Sequence, residues 1–425
     1  MSQQKNKKGS LMEQFRQLEL YRWRQFEHVR IDFDRDLCIL TGSNGCGKTT
    51  VLNVLARHFG WDVRLVSSLF PGKRRNLRSD VWEEPEKDSE TDRAVQIGTI
   101  EYASGHRCIL TAPPYTGPQY SLQYQDQRHV PGVHIPSHRP VVTYQKTGAI
   151  PTDPREILQQ SEEFRDLLFH TYSSENVRNP GIVLKQSLVA LAVFGYGNEA
   201  VAPTYEYCEL FERFQEILRM VLPKEIGFRR MEIRMPDIVL ITESGDFSLD
   251  AMSGGIGDVF GMAWQILMYG SDKADCTVII DEPENHLHPS MQREFLPSLR
   301  RAFPGYKFVV ATHSPFIVSS DPHASVYGLI FNDDKRVISE RLDNADLSAS
   351  PNKILRDIMG LPTTLPVWVQ EKIEKILEKY SGMDATEENA GKIYGELREL
   401  GLSDSVREFV PESGGDCSEK PDEIR

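Results

Sequence analysis

Apolar and polar residues first alternate along this chain and later cluster, and the change of period divides it into parts. From Phe15 to Leu20 and from Phe26 to Phe33 the alternation has a period of two, predicting half-buried strands with Tyr21 to Gln25 as the turn. Leu37-Cys38-Ile39-Leu40 is apolar throughout and reads as a strand covered on both faces. Val63 to Glu90, rich in charge and proline, predicts an irregular excursion. Strand-like segments follow at Val95 to Tyr102 and Arg107 to Thr111, then a Pro/Gly/Gln-rich connector from Ala112 to His134. The period turns helical from Pro154 to Leu222. Ile157, Phe164, Leu167 and Leu168 share one helix face, Ile182 to Phe194 forms a second helix and Tyr205 to Leu222 a third. Strands return at Phe228 to Arg234 and Ile238 to Thr242, and an apolar helix is expected from Ile256 to Tyr269. Near the end, two amphipathic helices are predicted at Val367 to Lys379 and Glu387 to Leu400. No sustained heptad or internal repeat appears.

Composition narrows the class. The chain has 425 residues, 40% hydrophobic and 26% charged, which suits one large globular domain with an appendage. Its net charge of −13 excludes a globally basic surface for nucleic acid. Lys73-Arg74-Arg75 with Arg78 is one candidate for a local basic patch that could contact nucleic acid, and a solvated loop is the plainer reading. Six cysteines lie scattered without a C-x-x-C pair, so neither a disulfide framework nor a zinc site is expected. Cys38 and Cys276 sit in apolar runs and read as small buried hydrophobes. Met1 to Ser10 is polar and lysine-bearing, unlike a signal peptide, and no apolar stretch approaches the roughly 18 residues of a membrane span. A cytoplasmic protein is the expectation.

Four constellations carry chemistry. Gly42-Ser43-Asn44-Gly45-Cys46-Gly47-Lys48-Thr49 fills every fixed position of the phosphate-loop pattern, between an apolar strand and a helix that begins with Thr49-Thr50. Its glycines let successive N–H groups face phosphate oxygens at the positive end of the helix. Lys48 supplies charge to the β- and γ-phosphates, and the Thr49 hydroxyl is suited to Mg²⁺. The second, Cys276 to Glu282, is an apolar run that delivers two carboxylates at a strand end. Asp281 would organise Mg²⁺, and Glu282 would take the proton of an attacking water. In the third, Met252-Ser253-Gly254-Gly255 opens the apolar helix. It reads either as a glycine turn before a core helix or as a second anion site serving a partner subunit's γ-phosphate. The fourth, Ala311-Thr312-His313-Ser314-Pro315, sets His313 at another strand end, in reach of a γ-phosphate.

These four motifs, in this order, resemble those of ABC-type ATPases in the branch with SMC-, RecF- and OLD-like heads. The string Asp281 to Pro289, DEPENHLHP, looks more like OLD-type and related prokaryotic defence ATPases than like transporter subunits. The resemblance implies an α/β fold: a P-loop NTPase head with a mixed or antiparallel β lobe, a helical lobe and a C-terminal helical appendage. It implies a flexible tail over 1–12, the head over 13–345 with its helical lobe at about 154–225, the appendage over 346–410 and a disordered acidic tail over 411–425. ATP and Mg²⁺ are the implied cofactors, Mg²⁺ being held by Thr49, Asp281 and a lobe-connecting glutamine. Gln145, after Ser137-His138-Arg139-Pro140, is the candidate for that glutamine. Adenine would pack near the Tyr21 to Phe26 turn, against Arg24 and Phe26. Ser253 and Gly255, with Gly254 between them, would act in trans across a homodimer, whose interface Asn285 to His288 would cross. The signature departs from the family's usual form in having Met252 before it and Ile256-Gly257-Asp258 after it.

A Toprim nuclease domain, as in OLD-like nucleases, finds no room: Asn332-Asp333-Asp334 falls in an expected turn and fewer than a hundred residues follow it. The tail instead looks like that of stand-alone ATPase subunits of anti-phage systems, whose effector is a separate gene product. The PARIS type, paired with a Toprim-like nuclease, and the Septu type, paired with an HNH nuclease, are the resemblances, length favouring the first. The implied function is a slow regulatory ATPase that holds or licenses an effector nuclease on a phage-derived trigger, with higher oligomers and DNA contact both open and no membrane partner. A RecF-like DNA-repair clamp without an effector is the alternative. On the first tail helix Val369, Ile373, Ile376 and Leu377 form a stripe that either packs on its own domain or docks a partner.

Overall fold

The structure is a computed structural model. It describes residues 13–69, 77–78, 81, 94–113, 115–116, 118–139, 144, 146–152, 154–171, 179–270, 275–342, 351–361, 363, 365–380 and 387–399. Gln145, Lys73 to Arg75 and both terminal tails lie outside these residues. The chain divides into two compact units, Met1–Ile354 and Leu355–Arg425.

The first unit is built on a mixed sheet of eleven strands among the described residues. These are β1 (Phe15–Trp23), β2 (Phe26–Asp32), β3 (Leu37–Thr41), β4 (Val95–Tyr102), β5 (Arg107–Ala112), β6 (Gln123–Gln125), β7 (Gly132–Ile135), β8 (Thr277–Asp281), β9 (Lys307–Ala311), β10 (Ser325–Phe331) and β11 (Val337–Leu342). Their order is β6-β5-β4-β1-β2-β11-β10-β3-β9-β8-β7. One half, β7-β8-β9-β3-β10, is parallel, and its central strands β3 and β8 are buried at every position, as continuous apolar runs require. The other half is an antiparallel meander in which buried and open positions alternate along β2. β11 joins the halves by pairing antiparallel with β10 and parallel with β2.

Three local readings change. The first strand runs on to Trp23, which pairs with Phe26, so the turn is only Arg24-Gln25. Arg24 adopts φ 53°, the positive value such a tight hairpin turn demands. Within the Ala112 to His134 connector lies β7, a four-residue edge strand between Pro131 and Pro136 that was too short to show a period. The strands Phe228–Arg234 and Asp237–Thr242 do not join the main sheet; with Phe247–Ser248 they make a separate antiparallel sheet.

Helices α1 (Lys48–Ala56), α2 (Pro154–Thr171), α3 (Gly181–Tyr196), α4 (Tyr205–Val221), α5 (Gly254–Gly270) and α6 (Pro289–Ala302) complete this unit. In α3 the apolar residues run all round, and it is correspondingly buried. One charge lies inside it. Lys185 is 1% exposed, and its Nζ donates to Asp237 Oδ1 and Asp250 Oδ2, each at 2.7 Å. Burial lowers its pKa, but the two carboxylates outweigh that and raise it. The triad ties α3 to the small sheet and to the turn that leads into Met252-Ser253.

In the second unit, α7 (Val367–Tyr380) and α8 (Glu387–Glu399) pack on each other. Val369, Ile373 and Ile376 are buried with Leu397, and Tyr380, Leu365 and Ile393 flank them. The apolar stripe is therefore consumed within the helix pair, apart from Leu377, which is 44% exposed.

Removing one member of a buried ion group strands the others. Lys185→Met should lower stability by about 3–5 kcal/mol, less whatever water recovers at the partly open Asp237. The melting temperature, compared with that of Lys185→Met/Asp237→Leu/Asp250→Leu, checks this: the triple variant should recover part of the loss.

Candidate functional site

Parallel pairing brings the C-terminal ends of β3, β8 and β9 to one edge of the sheet, where α/β folds place their ligands. The register sets Asp281 beside Ala311 and Ala311 beside Leu40. The Glu282 N–H donates to the Ala311 carbonyl at 2.8 Å, and the Thr312 N–H to the Leu40 carbonyl at 3.0 Å. Three of the four sequence constellations thus meet along one edge.

The phosphate loop spans Gly42 to Lys48. Gly42, Gly45 and Gly47 have φ values of 140°, 80° and 99°. At Gly47 the need is also steric: a Cβ there would come within 2.4 Å of the Gln25 Nε2 and 2.5 Å of the Phe26 ring. Phe26 is fully buried as the floor beneath the loop, so the expected adenine contact at Phe26 is overturned. Arg24 has its guanidinium 6.0 Å from the Trp23 ring. Ser43, Asn44 and Gly45 are open or half-open at the rim, whereas Cys46 is buried with its Sγ 3.7 Å from Lys48 Nζ. Burial raises the Cys46 thiol pKa, against the pull of Lys48. Lys48 itself folds back, donating to the Gly42 and Ser43 carbonyls at 3.0 and 3.1 Å.

Thr49 and Asp281 meet directly. The Thr49 hydroxyl donates to Asp281 Oδ2 at 2.9 Å, while Thr50 follows in the first turn of α1. Asp281 Oδ1 is buried without a hydrogen-bond partner among the described residues. Burial, reinforced by the Glu282 and Glu284 charges and opposed by Thr49 and Lys48, pushes the Asp281 pKa up to about 6. An orphaned carboxylate oxygen beside a hydroxyl suits a hard divalent cation. Among the described residues no group of three or more His, Cys, Asp or Glu side chains could hold a metal alone. Mg²⁺ would therefore complete its shell from phosphate oxygens and water, its usual habit.

Glu282 has φ 47°, which turns its side chain off the strand line. Its Oε2 accepts from Asn285 Nδ2 at 3.2 Å, and its Oε1 lies 3.8 Å from His313 Nε2. Burial and then the Lys48 charge lower the His313 pKa, against Glu282. Glu284 accepts from the His313 N–H at 2.5 Å, and burial raises its pKa.

Ser253 and Gly254 are exposed at the start of α5, and Gly255 is buried against the Asn285 to His288 loop. A Cβ at Gly255 would meet the His286 carbonyl at 2.4 Å, so this glycine is required by contact. Arg139 and Asp258 contribute where sequence reasoning assigned them nothing. In sequence Arg139 only marks the approach to Gln145, yet its guanidinium donates to the Glu282 carbonyl at 2.9 Å. Its polar neighbours Ser137 and His138 were the only signal in sequence.

Two family models match: one described as "AAA domain, putative AbiEii toxin, Type IV TA system" over residues 238–319, and one described as "AAA domain" over residues 17–101. The chain is 22% identical over 389 residues to Septu protein PtuA of Bacillus thuringiensis, covering 88% of this chain and 90% of that protein. To "Retron Ec83 probable ATPase" of Escherichia coli it is 24% identical over 188 residues, 42% of this chain and 33% of that one. An SMC head domain from Thermotoga maritima aligns with 78% of this chain and 99% of its own at 12% identity, with a TM-score of 0.41. Length does not favour the PARIS type, since the Septu protein is matched nearly end to end.

Because the folded-state pKa of Asp281 is raised, its penalty on folding is absent below the unfolded value and complete above about 6. Asp281→Asn should thus stabilise the metal-free protein by up to about 3 kcal/mol at pH 7.5 and by almost nothing near pH 4. Melting temperatures of both proteins in chelator across this range test it; a difference independent of pH would contradict the assignment. Motif order, the parallel sheet edge that gathers the phosphate loop with Asp281 and Glu282, and the two AAA-domain matches together make this chain similar to ABC-type P-loop ATPases.

Proposed function

We propose that this protein is a regulatory ATPase that works as a homodimer with composite sites and licenses a separate effector nuclease in anti-phage defence. The observation that carries the ATPase part is the convergence of Lys48, Thr49, Asp281, Glu282 and His313 on one sheet edge.

In this reading the triphosphate lies along the loop, and Lys48 exchanges the Gly42 and Ser43 carbonyls for phosphate oxygens. Thr49 and Asp281 would hold Mg²⁺, which would supply positive charge against the β- and γ-phosphates. Glu282 orients a water and takes its proton as the water oxygen attacks the γ-phosphorus and the bond to the bridging oxygen breaks, releasing ADP and phosphate. His313, kept neutral by burial and by Lys48, hydrogen-bonds the γ-phosphate. Ser253 and Gly254, open at the start of a seventeen-residue helix, offer a hydroxyl and free N–H groups to the partner's γ-phosphate. Hydrolysis would then loosen the dimer and change what it presents to the effector. The extended match to a Septu protein supports a place in a defence system of that kind, for which the sequence resemblance implies an effector of the HNH class.

Lys48→Ala should reduce binding of a fluorescent ATP analogue at least about 100-fold, the loss of a charged phosphate ligand, in a protein that still melts cooperatively. Titration decides, and unaltered affinity would remove the loop from the site.

Glu282→Gln keeps shape and hydrogen bonding but cannot take the proton. It should cut turnover by at least about 100-fold and accumulate an ATP-bound dimer visible by light scattering. Normal hydrolysis by this variant would show that Glu282 is not the base.

Mixing Lys48→Ala with Ser253→Arg subunits should restore one competent composite site per heterodimer and recover part of the wild-type rate. A mixture as inactive as its parents would refute action in trans. Weighing the complex purified with its neighbouring gene product tests the effector.

A further inference from the structure

The segment Pro136 to Arg139 follows β7 and touches both chemical ends of the site. Arg139 Nη2 donates to the Glu282 carbonyl at 2.9 Å, while its Nη1 reaches the Pro136 carbonyl at 3.3 Å and that of Asp281 at 3.5 Å. Its Nε lies 3.3 Å from Asp258 Oδ2, the two side chains being 7% and 12% exposed. That contact lacks hydrogen-bond alignment at both atoms, so the pair is joined by charge rather than by a locked geometry. Asp258 sits on α5, five residues beyond Ser253. Asn285 completes the clamp: its Nδ2 donates to Glu282 Oε2 and to the Ser137 carbonyl, both at 3.2 Å. The same short segment therefore holds the backbone of Glu282 through Arg139 and its carboxylate through Asn285, and reaches the signature helix through Asp258.

Resting on the composite-site reading above, we infer that Arg139 is a positioning residue that couples the signature helix to Glu282. When a partner's triphosphate seats on Ser253 and Gly254, any shift of α5 moves Asp258, and Arg139 passes that movement to the Glu282 backbone. Glu282 turns at φ 47°, where a small backbone displacement redirects a long side chain. The unaligned ion pair suits this task, because it tolerates sliding without breaking. A planar guanidinium can serve several acceptors at once in fixed directions, which a lysine ammonium cannot. Arg139 touches no reacting atom, so its effect is on aim and not on chemistry.

Full-length Asp258→Asn, Arg139→Lys and Arg139→Met, and the double variant Arg139→Met/Asp258→Asn, test the coupling. The measurements are kcat and KM for ATP, direct affinity for a fluorescent ATP analogue, and thermal melting. Misaiming the base should lower kcat about 10- to 100-fold in Asp258→Asn and Arg139→Met. Nucleotide affinity should stay within about twofold, the separation expected of an interaction made only on the way to the transition state. Arg139→Lys should not restore the rate, and the double variant should be no slower than Arg139→Met, since both break one link. The inference falls if folded Asp258→Asn turns over like wild type, if nucleotide affinity drops in step with kcat, or if the double variant multiplies the two losses. Should Arg139→Met fail to melt cooperatively, Asp258→Asn and Arg139→Lys decide; if Asp258→Asn also fails to fold, the pair is structural and the inference is overturned. A wild type without ATP hydrolysis removes the parent reading and this inference with it, whereas active wild type alongside an equally active Asp258→Asn removes this inference alone.

Discussion

Negative charge held away from water is the constraint around which this site is arranged. Asp281, Glu282 and Glu284 fall within four residues at the end of a fully buried strand, and two of them are pushed toward protonation. Such a cluster is unstable unless cations and donors surround it. Thr49 reaches across from α1, the His313 N–H closes on Glu284, and Lys48 sits near enough to oppose the rise in the Asp281 pKa. Arg139 takes the backbone carbonyls that those acids leave behind. The parallel register of β3, β9 and β8 makes these meetings possible, because it aligns the end of β3 with the ends of two strands that lie far along the chain from it.

The parts legible in sequence are those whose signal is local. The phosphate loop needs glycines at fixed spacing, and positive φ at Gly42, Gly45 and Gly47 accounts for that requirement. Continuous apolar runs announced β3 and β8, helical periodicity marked α4 and α7, and the expected bounds of α3 also fell within a few residues of its observed ends. The illegible parts depend on contacts between distant segments. Strand β7 is four residues long and gains its place only by pairing with β8. Phe26 reads as a plausible aromatic surface until Gly47 is seen to lie on its ring. Arg139 lacks a motif because its distant partners are carbonyls and an aspartate on two other segments, and a carbonyl leaves no mark in the sequence.

The helical lobe and the sheet edge share one mechanical theme. Lys185 holds α3 to the small sheet and to the turn before the signature, and Gly255 lies against the His286 carbonyl just beyond Glu282. The signature thus has few free degrees of movement of its own. It is held on one side by a buried triad and on the other by the strand end that carries the expected base.

The floor of the phosphate loop has a consequence for encounter with nucleotide. Phe26 and Gln25 fill the space under Gly47, and Lys48 holds the loop carbonyls, so the curvature of the cradle is built into the fold. Little conformational entropy remains to be lost when a triphosphate arrives, and the main expense is the exchange of two ammonium hydrogen bonds. Capture is then governed by diffusion and local charge rather than by folding of the loop. The loop is thus a receptor shaped by its own packing in advance of the ligand, and not one that a ligand must fold.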